Sequence, residues 1–244
     1  MLNFTLTLIF DQIGVDLNYL ELLLNCGYST EIINIAKGDI KVPEYTFKAL
    51  ADLSFAFPPA LIPLWSNASW PGYIGIVKHW FGNQPDTFVE YFSGETSIIE
   101  IAKNLQQLKA WMVFDFLSNV PDADEVGRFA ESIGFCRADE VETIFAECED
   151  VSDLAFLDIF KSDLPSILKR DERLGKPEWW SSSSGVDEIR NQINHGQFEQ
   201  AWLQLNSGVS NKSEIASILS LLSGHVERKT EFQILISCWS TANS

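Results

Sequence analysis

The chain has 244 residues, 46% hydrophobic and 12% aromatic, a composition that excludes a disordered or fibrous protein and supplies a sizeable core. Its 34 Asp and Glu outnumber 17 Lys and Arg, and the net charge of −17 argues against a broad nucleic-acid-binding surface and against an anionic membrane as partner. That balance suits two readings, plain solubility or a basic protein partner drawn in by complementary fields.

At the N-terminus Leu2, Phe4, Leu6 and Leu8 alternate with Asn3, Thr5 and Thr7, which predicts a strand over Leu2–Phe10. The stretch lacks a basic flank and a small-residue cleavage site, and no apolar run reaches bilayer-spanning length, so a cytoplasmic location is expected. Asp16 is placed to cap a helix through Leu17, Leu20, Leu23 and Leu24 that stops at Gly27. A second helix is predicted over Ser29–Lys37, stopped by Gly38. A third is predicted from Pro43 with Phe47, Leu50 and Leu53 at helical spacing.

From Leu61 the texture turns to β. The apolar run Leu61–Trp65 leads into turn chemistry over Ser66–Gly72. Tyr73–Phe81 and Thr87–Phe92 then read as a hairpin with a five-residue loop, Gly82–Asp86. Beyond it the pattern is helical. Ser97-Ile98-Ile99-Glu100 matches a capping box, predicting a long helix to Leu117. Pro121 opens another near Asp122, and Ala138–Glu147 and Asp153–Phe160 suggest two more.

Leu174–Gly185, with its run of four serines, reads as a linker. Val186–Asn194, Gly196–Leu205, Ser213–Ser223 and Val226–Trp239 follow as helices. The expected fold is α+β, a small antiparallel sheet with flanking helices in the N-terminal half and an all-helical C-terminal half. Residues 1–118 form the α+β domain, 119–175 an acidic helical extension packed on it, and 186–244 a C-terminal helical subdomain.

No catalytic motif occurs: there is no nucleophile elbow, HExxH, phosphate-cradling loop or dinucleotide fingerprint, and no catalytic residue, metal ligand or cofactor is assigned. Cys26, Cys136, Cys148 and Cys238 show no zinc-site spacing and fall in apolar helical patterns, as free buried thiols of a reducing compartment would. His79 with Glu90 on the opposite strand is the one acid–base pairing the pattern offers, though no nucleophile accompanies it.

Trp65, Asn67 and Trp70 in a polar turn are candidate partner-binding residues. Such tryptophans either stack on a sugar ring or anchor an interface, or else they fold back as lids on the core. Between Asp115 and Glu172 sixteen acidic residues face five basic ones. Asp122, Asp124 and Glu125, then Asp139, Glu140 and Glu142, gather at helix beginnings, where the dipole favours carboxylates. They are either solvated faces or the contact surface for a basic protein. A third group, Glu147, Glu149 and Asp150, sits at a helix end where the dipole disfavours it.

The proline-flanked Leu61-Ile62-Pro63-Leu64-Trp65, the small-residue turn Ser66–Gly72, the hairpin Tyr73–Phe92 and the predicted helix Ser97–Leu117 resemble the SUKH superfamily over about the first 117 residues. Its members share an α+β scaffold that binds diverse proteins. Many bacterial ones neutralise a cognate toxin and fungal ones regulate cell-wall synthesis. The resemblance implies a non-enzymatic protein-binding module, an immunity protein against a basic toxin such as a nuclease. Two other readings stand beside it: a hydrolase holding a carbohydrate-like substrate against Trp65 and Trp70, and a regulatory scaffold.

Overall fold

A computed structural model describes residues 17–40, 47–49, 56–67, 72–93, 97–120, 123–148, 150–180, 185–207 and 211–243. The strand expected over Leu2–Phe10, the Asp16 cap, Pro43 and the serine run at 181–184 lie outside these residues.

Helix α1 (Leu17–Asn25) and helix α2 (Thr30–Lys37) form where leucine and isoleucine spacing predicts them. Ser29 caps α2 by accepting from the Ile32 amide, and Gly38 ends it in the left-handed region at φ 74°. The carbonyls left open at the end of α1 are met from far along the chain: Arg228 donates to the Asn25 and Cys26 oxygens at 2.5 and 3.5 Å.

Five strands make one antiparallel meander in chain order: β1 (Phe47–Ala49), β2 (Leu61–Asn67), β3 (Gly72–Val77), β4 (Thr87–Phe92) and β5 (Ser97–Ala102). Phe47–Ala49 is therefore not helical as its spacing suggested. It pairs with Trp65–Asn67, and that pairing outweighs a weak local preference. Pro63 sits in an interior strand where it has no N–H to give, and the ladder accommodates it with an irregularity between Pro63 and Trp65. Every residue of β3 is buried, so both faces of the sheet are covered. That strand ends at Val77, not Phe81. The segment beyond it is held by Asp86, which accepts from the Tyr28 hydroxyl (2.6 Å), Lys78 Nζ (2.9 Å) and the His79 amide (3.3 Å).

Ser97–Ala102 is the clearest departure from expectation. It is the edge strand β5, with Ile98 opposite Tyr91 and Glu100 opposite Val89, and not the first turn of a helix. Its three isoleucines prefer an extended backbone, and Ile98 and Ile101 are fully buried. Helix α3 (Leu105–Asn119) begins only after Asn104, whose side chain accepts from the Gln107 amide at 3.0 Å. Gln107 reaches back to the Lys103 amide at 2.8 Å. The helix is buried on nearly all sides, from Gln107 to Phe114, and is the centre of the second half of the core.

Helices α4 (Ala123–Ser132) and α5 (Ala138–Cys148) pack on α3. Asp153–Phe160 forms short 3-10 turns, Val151–Phe156 and Asp158–Phe160, in place of the α-helix expected there. The segment read as a linker is packed over residues 175–180. Gly175 and Pro177 are buried, and the Gly175 carbonyl accepts from the Glu100 amide at 2.9 Å, closing part of the open edge of β5.

Helices α6 (Val186–Asn194), α7 (Phe198–Leu205), α8 (Lys212–Leu222) and α9 (Lys229–Ala242) follow as predicted to within three residues. Their aromatic residues enter the same buried cluster as the sheet. Trp202 Nε1 donates to the Lys78 carbonyl (3.1 Å) and Trp239 Nε1 to the Phe57 carbonyl (2.7 Å). Asn206 accepts from the Ala60 amide at the start of β2 (2.6 Å). Phe232 lies within 5.7 Å of Trp80, Phe81 and Trp202, ring centre to ring centre.

Two glycines give opposite expectations. Gly175 adopts φ +81°, and a Cβ there would sit 2.9 Å from Ile99, so Gly175→Ala should destabilise by roughly 1–3 kcal/mol. Gly127 lies in α4 with nothing near its missing Cβ, so Gly127→Ala should stabilise by about 0.5–1 kcal/mol. Urea unfolding of both variants decides each sign. Truncation after Gly185 removes Trp202, Phe232 and Trp239. It is expected to leave a chain that binds a hydrophobic dye and loses its cooperative thermal transition.

Candidate functional site

The sequence-predicted residues divide sharply by environment. Trp65 is fully buried opposite Ile74, so it is part of the core and offers no platform to a sugar or a partner. A large ring on an interior strand of a sheet covered on both faces has no route to solvent. Asn67 ends β2 with its backbone opposite Phe47. Trp70 and Asp122 lie outside the described residues.

Asp124 and Glu125 are exposed in the first turn of α4, and Asp139 and Glu140 in the first turn of α5. Glu140 is engaged by Arg137, which donates from Nε (2.7 Å) and a terminal nitrogen (2.5 Å). Among the described residues no cation pairs with Asp139, Glu142 or Glu147. The third acidic group has a partial explanation. Asp150 caps the following 3-10 turn by accepting from the Ser152 amide at 2.8 Å, which also lowers its pKa. That turn packs against α5 and ends at Phe156, an aromatic ring left 70% exposed.

His79 and Glu90 do not meet across the hairpin. Glu90 pairs with Ile74, five positions back along the chain from His79, which follows the end of β3. His79 instead faces Trp179, edge to face at 5.6 Å. Both line a cavity of about 430 Å³, where the connection after β3, the end of β5, the 175–180 strap and α7 converge. The cavity's other polar side chains include Gln84, Thr87, Glu100 and Lys103.

Glu100 is 1% exposed. Its Oε2 accepts from Lys103 Nζ at 2.8 Å, and its Oε1 from the Ser166 amide and hydroxyl at 3.0 and 3.1 Å. Burial pushes the His79 imidazole down to about 4, outweighing the upward pull of Asp86. The ring is thus neutral near pH 7 and contributes an aromatic wall to the cavity. Nothing in the sequence pointed to this site. His79 and Thr87 lie near each other in the chain, but Glu100 was read as helical and Trp179 as linker, and only the packing of four separate segments assembles them.

Three of the four cysteines are not the buried thiols expected. Cys136 and Cys148 are exposed and Cys26 half-buried, while Cys238 alone is fully buried, and none of the four is in a disulfide. Among the described residues no helix is long and apolar enough to cross a membrane, and no group of His, Cys, Asp and Glu is arranged to hold a metal ion.

The fold defines an α+β chain whose five-stranded antiparallel meander is enclosed by helices from both ends of the sequence. No family model, curated protein or solved structure matches it.

The His79 environment gives a pH expectation. The folded imidazole takes up its proton near pH 4 and the unfolded one near its ordinary 6.5, so acidification across that interval favours the unfolded chain. Asp115 acts in the opposite sense, because burial pushes its folded carboxyl up to about 6. An NMR titration should find the His79 ring neutral to about pH 4, and His79→Gln should make stability less sensitive to acid between pH 6.5 and 4.

Proposed function

We propose that the protein is a non-enzymatic protein-binding module that presents the acidic face of α4, α5 and the adjoining 3-10 turn to a basic protein. The observation that carries this reading is the placement of Phe156, 70% exposed, at the end of the turn that packs on α5, where Asp139, Glu142 and Glu147 have no cationic partner among the described residues while Asp150 and Asp153 of the turn itself pair with Arg170. A single exposed ring is an ordinary feature of a surface whose only task is solubility. It is a useful one for an interface that needs a desolvated anchor inside a charged rim.

In its specific form, supported by the resemblance of the N-terminal half to immunity proteins, the partner is a basic toxin and the acidic face occludes it. Four cysteines outside any disulfide support a cytoplasmic setting. Burial of Trp65 weighs against the hydrolase alternative in the form that stacks a sugar on that ring.

Copurification from the native host at low salt should recover a basic protein, released as ionic strength rises. Glu142→Lys combined with Glu147→Lys, and separately Phe156→Ser, should each weaken the complex at least tenfold, about 1.4 kcal/mol, without lowering the melting temperature. Binding indifferent to salt and to all of these substitutions would sink the proposal.

A further inference from the structure

The cavity beside β5 is distinct from the acidic face, and its volume of about 430 Å³ falls within the roughly 300–1,000 Å³ of small-molecule sites. Its hydrogen-bonding capacity is only partly used. Thr87 Oγ1 and Trp179 Nε1 are both buried and unpaired, and Thr87 is 3% exposed. Unmet buried polar groups are rare because each forfeits its hydration.

The ionic groups around the same space are already committed. Lys103 is paired with Glu100, which also holds Ser166, and Glu178 at the rim is paired with Lys169 at 2.7 Å. The cavity is therefore bordered by two idle donors without net charge, both shut off from its solvent in this conformation, together with a neutral His79 ring and an indole set edge to face. A charged ligand would add net charge to ion pairs that already balance one another. A neutral one accepts from the idle donors once they turn toward it.

We propose that this cavity binds a small uncharged ring molecule carrying carbonyl or hydroxyl oxygens, which accept from the Thr87 hydroxyl and the Trp179 indole N–H. Both groups are shielded from water, so engagement requires rotation about the Thr87 side-chain bond and a small swing of the half-buried Trp179. Binding then satisfies two groups that the protein alone leaves without partners. The apolar part of the ring lies against Trp179, His79 and Leu203, which supply the cavity's apolar wall.

The test uses the full-length protein labelled with nitrogen-15, with the Trp179 indole resonance assigned from Trp179→Phe. Two neutral probes separate the sources of acceptor oxygen, glucose for hydroxyls and uracil for carbonyls, and inorganic phosphate serves as the charged probe. At least one neutral probe should move the Trp179 resonance saturably at millimolar concentration, and phosphate should not. Thr87→Val keeps the shape and removes the hydroxyl. It should weaken probe binding by about fivefold or more while the melting temperature holds or rises, since an unpaired buried hydroxyl has been deleted. A group with only a structural role would show the reverse, a lower melting temperature and unchanged binding. If neither neutral probe binds, or if phosphate alone does, the proposal is overturned.

Discussion

A carboxylate in the middle of an edge strand, almost wholly removed from water, is the constraint around which this fold is arranged. Burying the Glu100 charge without partners would be costly. The chain meets that cost by bringing Lys103 from the turn into α3 and Ser166 from a further 3-10 turn, Ser166–Leu168, onto its two oxygens. The main chain of the same residue donates to Gly175, so side chain and backbone together fix the turn and the strap against β5. Both attachments converge on the wall of the cavity. The site's shape thus follows from the solution to a desolvation problem.

A second set of polar contacts carries the core across the chain. Gln107 is fully buried and uses its amide to donate to the Ile159 and Asp163 carbonyls at 2.9 and 2.7 Å, pinning the 3-10 turns to α3. Lys109, 2% exposed, donates to the Gly134 carbonyl at 3.2 Å and pairs with Glu31 of α2. On the other side, indole N–H groups of the C-terminal helices reach backbone carbonyls next to the strands. Each contact joins segments far apart in sequence, and each is worth most where water is excluded. The charge that dominates the composition lies outside this network. Much of it lies on α4, α5 and the turn after them, where exposed carboxylates stay hydrated and others pair with Arg137 and Arg170.

Much of the architecture was readable along the chain. Gly27 and Gly38 ended their helices because a left-handed residue after a leucine- or isoleucine-rich turn leaves little choice. The Tyr73–Phe92 hairpin, although its first strand stops at Val77, and the four C-terminal helices were equally plain, since their hydrophobic spacing agrees with their turn chemistry. Ser97–Ala102 was not. Ser-Ile-Ile-Glu satisfies a helix-start pattern and a strand pattern at once, and the partner strand β4, which decides between them, is not a local property. Phe47–Ala49 failed for the same reason. The acidic face was visible because its residues are clustered in sequence, whereas the cavity was not, because its residues come from four segments.

Composition and periodicity alone determined the α+β class, the large core, the helical second half and the location of the negative charge, because all of these are sums or short-range patterns. Tertiary structure alone decided that Trp65 is core, that Glu100 is a buried anchor, that residues 175–180 cap a strand edge, and that His79 shares a cavity with Trp179 and Thr87. Those outcomes depend on which surfaces are covered and which buried polar groups find partners. Burial and pairing are set by contacts between distant segments, and no local window of the sequence contains them.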